Sequence, residues 1–80
     1  MNTYKTTHRA SCPNGALLDT YDITIRSAEP IMVEDIAKTL ADAPATIYQE
    51  DLATLLRAKL GAEITVEGWH HGIHITSTRK

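Results

Sequence analysis

The chain has 80 residues, a formal net charge of −2 and 22% charged residues, with one cysteine, one tryptophan and no phenylalanine. Such a chain makes one small domain, residues 1–80, that buries roughly 60% of its unfolded surface around an aliphatic core. No basic stripe marks a strong nonspecific nucleic-acid binder, no window of about 18 apolar residues marks a membrane span or leader, and one cysteine cannot close an internal disulfide, which fits a reducing, cytoplasmic setting.

Taken in order, residues 3–9 read as a weak strand. Tyr21, Ile23 and Ile25 alternate with Asp22, Thr24 and Arg26, the pattern of a half-buried strand. After the break at Ser27–Pro30, Val33, Ile36, Ala37 and Leu40 recur at helical spacing, with Glu34 and Asp35 in the first turn where the helix dipole favours acids. Ala43 before Pro44 is pushed out of the α region and ends that helix. Thr46 and Gln49 have capping-box spacing and open a second helix, whose apolar stripe is Leu52, Leu55, Leu56 and Leu60 and whose closing residue is Gly61. Ile64 and Val66, then Ile73 and Ile75, form a hairpin around the turn segment "GWHHG". The sum is β-β-α-α-β-β, an α+β unit with an antiparallel sheet and both helices on one face. A sheet so small leaves open edges that neighbouring subunits could cover.

Four stretches carry chemistry or its outline. Cys12-Pro13 stands seven residues before Asp19, and Ile31–Ile36 opens the first helix. Tyr48-Gln49-Glu50-Asp51-Leu52 opens the second, and "ITVEGWHHGIHI" forms the last hairpin. Each residue also has a plain structural role. A lone cysteine packs in cores, an aspartate before a strand makes a turn, and a glutamate in a first helical turn answers the dipole. Cys12, His70, His71 and His74 have the atom types of a zinc site. Their spacing falls on turn and strand, where His70 and His74 would share a face and His71 point away, so no metal is expected.

Over residues 11–76 the element order and these four stretches resemble the tunnelling fold. The resemblance is nearest to the 7-cyano-7-deazaguanine reductases and amidinotransferases (QueF and QueF-like) and more distant to GTP cyclohydrolase I. In the first two families a Cys-Pro opens the motif and an aspartate follows seven residues on, as Cys12-Pro13 and Asp19 do here. The resemblance implies a catalytic pair, Cys12 as nucleophile and Asp19 as proton donor. It implies a substrate side made of Glu50, whose carboxylate would pair with adjacent N–H groups of a guanine-like edge, together with Gln49 and His70. Two departures bear on the branch. Asn14 and Gly15 after Cys12-Pro13 are not the Cys-x-x-His zinc pair of the cyclohydrolases. Glu34 is followed by Asp35, Ile36, Ala37, Lys38 and Thr39, without the lysine pair that serves NADPH in the reductases.

The expectation is therefore an amidinotransferase-like enzyme without cofactor. It would act on the nitrile of a 7-deazaguanine base, free or within a nucleic acid, through a cysteine thioimide, in a homo-oligomer closed into a barrel. The alternatives are an NADPH-dependent nitrile reductase and a non-catalytic pterin- or purine-binding protein of the same fold.

Overall fold

The alternating strands and two amphipathic helices assemble, in a computed structural model that describes residues 1–15 and 17–80, into one four-stranded sheet carrying both helices. The strands are β1 (Asn2–Ser11), β2 (Leu18–Ser27), β3 (Glu63–His70) and β4 (Ile73–Arg79); the helices are α1 (Val33–Asp42) and α2 (Gln49–Leu60). The sheet order is β1-β2-β3-β4 and every pair is antiparallel, so β1 and β4 are edges. This is the expected α+β unit. The first strand is longer than its weak pattern indicated, because all ten of its residues pair with β2.

Register sets which side chains meet. Tyr21, Ile23 and Ile25 of β2 face the same side as Gly68, Val66 and Ile64 of β3. Together with Leu52 and Leu56 of α2, Tyr21, Ile23, Ile25, Ile64 and Val66 are the largest fully buried side chains. Burying each aliphatic one contributes about 1.5–3 kcal/mol, so the core lies between α2 and the two central strands. The opposite face of the sheet is polar. Across it Lys5, Thr24, Thr65 and Thr78 form one row, and Thr7, Asp22, Glu67 and Thr76 another.

The helices depart from their sequence patterns in two respects. In α1 only Ile36 is buried; Val33 is 60% exposed and Ala37 is exposed. This helix touches the rest of the molecule through a narrow seam beside α2, and the loop before it is tied to β1, where the Ile31 N–H donates to the Tyr4 hydroxyl at 2.9 Å. In α2 the N-cap is Tyr48, with no side-chain cap bond, so the expected Thr46–Gln49 capping box does not form. Gly61 does close α2 in the left-handed conformation, with φ 64°.

The last hairpin is tighter than expected. Gly68, Trp69 and His70 belong to β3, and the turn is His71-Gly72 alone, at φ 53° and 79°. Positive φ at both central residues is what a type I′ turn requires. Trp69 stands opposite His74, their ring centroids 5.0 Å apart, while His70 stands opposite Ile73. His70 and His74 therefore occupy opposite faces of the sheet, contrary to the shared face that a zinc pair would have needed.

Candidate functional site

Cys12 begins a β-turn. Pro13 occupies the position where its fixed φ is favoured, Asn14 follows, and the Gly15 N–H donates to the Cys12 carbonyl at 3.0 Å. The loop from Asn14 to Leu18 was expected to carry the chain from cysteine to aspartate; Ala16 within it lies outside the described residues. Asp19 sits near the start of β2, paired with Ala10 near the end of β1. The turn thus returns the chain to the same end of the sheet it left.

A backbone clasp brings α2 to that end. The Ser11 N–H donates to the Ala45 carbonyl at 2.8 Å, and the Ile47 N–H donates to the Ser11 carbonyl at 2.9 Å. The Tyr48 hydroxyl adds a bond to Asn14 Oδ1 at 3.2 Å. These contacts set the first turn of α2, with Gln49 and Glu50, beside Cys12.

The result is a cleft of about 470 Å³ whose polar lining includes Cys12, Asp19, Gln49, Glu50 and His70. All five residues expected from the sequence meet there, although they come from the turn after β1, from β2, from α2 and from β3. Tyr48, Leu17 and Ile75 supply apolar surface around them, and Trp69, whose ring packs on His74, borders the cleft. Cys12 is a free thiol of intermediate exposure rather than a core residue. Glu50 is exposed in the first turn of α2, and among the described residues its carboxylate makes no ion pair. A pocket with convergent polar groups and apolar walls has the character of a small-molecule site.

Hydrogen bonds link the floor of this cleft. Gln49 is only 3% exposed. Its Nε2 donates to the carbonyl oxygens of Val66 and Ile75, each at 2.9 Å, and lies 3.2 Å from Ser77 Oγ. His70 Nε2 donates to Gln49 Oε1 at 2.9 Å. The other ring nitrogen of His70 lies 3.7 Å from Asp19 Oδ2. Gln49 thus uses its amide inside the protein and reaches the cleft by way of His70.

Two members of the site have no conspicuous signal in the sequence. Tyr21 reads as a core residue of an alternating strand, and its ring is indeed fully buried. Its hydroxyl, however, donates to Asp19 Oδ2 at 3.5 Å. Burial first, and then the negative charges of Asp19, Cys12 and Glu50, push its pKa up to about 12, so the phenol keeps its proton. Gly68 reads as a turn glycine but lies mid-strand beneath that ring. A Cβ there would come within 2.6 and 2.8 Å of two Tyr21 ring carbons and 3.2 Å of Gln49 Oε1. Only glycine leaves room for both side chains.

The fold and this cleft define the class: a single α+β ββααββ unit with a cysteine, two carboxylates and a histidine gathered at one end of the sheet. Among solved structures the chain is similar to the crystal structure of the archaeosine synthase QueF-like in the apo form. The TM-score is 0.79 at 19% sequence identity, over 98% of this chain and 89% of that one. At that identity the likeness speaks for the fold. No protein-family model matches the sequence, and no curated protein does.

Proposed function

We propose that the chain is a QueF-like enzyme acting on the nitrile of a 7-deazaguanine base. The observation that carries this reading is the meeting of Cys12, Asp19 and Glu50 in one cleft of a fold shared with an archaeosine synthase. In this reading the Cys12 sulfur attacks the nitrile carbon, the nucleophilic role a thiolate fills. Asp19 delivers a proton to the nitrile nitrogen, giving a thioimide. Ammonia or a small amine then adds to the thioimide carbon and the thiol leaves, so the product is an amidine and no reductant is consumed. Glu50 accepts two N–H bonds from the guanine-like edge, a charge-assisted pairing that fixes the ring.

The reductase alternative asks for a cationic anchor on α1, where Lys38 is instead engaged with Asp42 at 2.9 Å. The reading favours the cofactor-free branch because α1 carries Lys38 without a second lysine beside it. The base is met free or exposed in a nucleic acid, and the unit works as a homo-oligomer in which the open edges of β1 and β4 pair with neighbouring copies.

The test is mass spectrometry of the protein mixed with 7-cyano-7-deazaguanine. Addition expels nothing, so the expected mass gain equals the whole ligand. Cys12→Ala abolishes the adduct with little loss of stability, and Asp19→Asn slows its formation. A wild-type protein that stays unmodified while binding the base tightly would return the chain to a non-catalytic binding role. Consumption of NADPH with the nitrile would move it to the reductases.

A further inference from the structure

The orientation of the Gln49 carboxamide is dictated by the sheet. Its nitrogen lies 2.9 Å from the carbonyl oxygens of Val66 and Ile75. Carbonyl oxygens only accept hydrogen bonds, so the N–H₂ group must stand on that side, and both its protons are used there. The reverse placement would set Oε1 against two acceptors. Oε1 therefore faces His70 Nε2, at 2.9 Å. An amide oxygen has no proton to give, so His70 Nε2 must carry one. A neutral imidazole has a single ring proton, which leaves Nδ1 as a bare lone pair.

That lone pair faces Asp19 Oδ2 at 3.7 Å. The separation is too long for a hydrogen bond and is the distance of two acceptors set against each other. A carboxylate beside a histidine ordinarily draws the ring proton to the nitrogen it faces. Here Gln49 competes for that proton from the shorter distance.

We infer that Gln49 is a positioning residue that holds neutral His70 in its Nε2–H form, so that the bare Nδ1 is turned towards the Asp19 carboxyl as an acceptor for the thiol proton. The inference rests on the roles proposed above for Cys12 and Asp19, and it adds where the thiol proton goes. In the addition step the Cys12 S–H bond breaks and a C–S bond forms, while one π bond of the nitrile is replaced by an N–H bond. The thiol proton passes to the Asp19–His70 couple and from it to nitrogen, so the couple ends as it began. Ionisable groups near it include Tyr21 from β2, His8 opposite Tyr21 on β1, Cys12 from the turn after β1, Glu50 from α2 and His71 from the hairpin turn. Tyr21, protonated up to about pH 12, is a donor to Asp19 and not a rival base.

Long-range nitrogen–proton correlation spectra of histidine-labelled protein read which ring nitrogen bears the proton, with His70 assigned by the loss of its signals in His70→Asn. Under conditions where the ring is neutral, wild-type His70 is expected in the Nε2–H form. Asp19→Asn keeps that form, because Gln49 still sets it. Gln49→Met removes the acceptor, so the ring proton moves to Nδ1, towards Asp19. In that variant thioimide formation slows roughly 10- to 100-fold, part of the effect attributed to a positioned acid or base. An Nδ1–H ring or an even mixture in the wild type overturns the inference whatever the adduct does. If Gln49→Met does not fold, a tautomer switch in Asp19→Asn overturns it equally. A wild type with Nε2–H His70 and no adduct upholds the tautomer assignment and sinks the nitrile chemistry instead.

Discussion

Replacing Gly68 with alanine adds one methyl group at the most crowded point of the site. The new carbon would stand 2.6 and 2.8 Å from Tyr21 Cδ1 and Cε1. Carbon pairs are comfortable at about 3.5–4.0 Å, so the overlap is about 1 Å. The Tyr21 ring has nowhere to retreat, since it is fully buried and packed in the core with Ile23 and Val66. Gln49 Oε1, at 3.2 Å from the new carbon, is held in place by bonds from its own nitrogen to two strands. Overpacking of this kind costs about 1–3 kcal/mol, which outweighs the roughly 0.5–1 kcal/mol that alanine would gain over glycine in an uncrowded strand. The net loss, up to about 2.5 kcal/mol, is for a domain of this size a fall in Tm of up to roughly 20 °C. Thermal and urea denaturation of the wild type and Gly68→Ala measure it. The same push displaces Tyr21 and Gln49, so thioimide formation by the folded variant should also slow. A variant as stable as the wild type, reacting at the same rate, would refute the account of Gly68 as the floor of the cleft.

Glu50→Gln should fold normally, because glutamine is a good helix former, and should bind a guanine-like base about 1.5–3 kcal/mol more weakly by calorimetry; unchanged affinity would return Glu50 to a helix-dipole role. Tyr21 titrates at about 12 in the folded chain against 10.0 as its ordinary value, so the folded state keeps a proton that the unfolded state has lost. Its contribution is complete below pH 10.0 and declines as the pH rises towards about 12; Tyr21→Phe should flatten this alkaline loss in urea midpoints, and an unaltered slope would place the cause elsewhere. Light scattering at micromolar concentration should show an assembly larger than one chain, and a monomer would remove the proposed edge pairing of β1 and β4.

The alternation of Tyr21, Ile23 and Ile25 and of Ile64 and Val66 was readable because each strand buries one face, and period two leaves little ambiguity. Gly61 was readable because a left-handed helix end favours glycine. The capping box was misleading because Gln49 met stronger partners in the sheet: the buried carbonyl of Val66 and the part-buried carbonyl of Ile75 need donors more than a solvent-exposed helix start does. The hairpin turn was drawn too wide, since two glycines and two histidines read as a loop while the register closes it with His71-Gly72. That shift of strand end is what moved His74 to the far face. Of the site, the spacing from Cys12 to Asp19 and the acid at Glu50 were visible because they are local. Tyr21 and Gly68 were not, because one uses a buried ring to carry its hydroxyl to Asp19, and the other matters only for the space it leaves free.

The clasp at Ser11 has a kinetic corollary. The end of β1 and the connection between the helices are joined there by two backbone bonds, at Ser11 N and Ile47 N, that belong to neither the sheet ladder nor a helix. They close a long loop for little enthalpy, so this is where native-state opening should begin. Opening would part Cys12 from the first turn of α2 while leaving Asp19 and His70 on the sheet. The amides of Ser11 and Ile47 would then exchange with solvent in one common step, ahead of the amides of Ile23 and Val66. Amide exchange at those two positions thus times the assembly and disassembly of the cleft, separately from the unfolding of the domain that carries it.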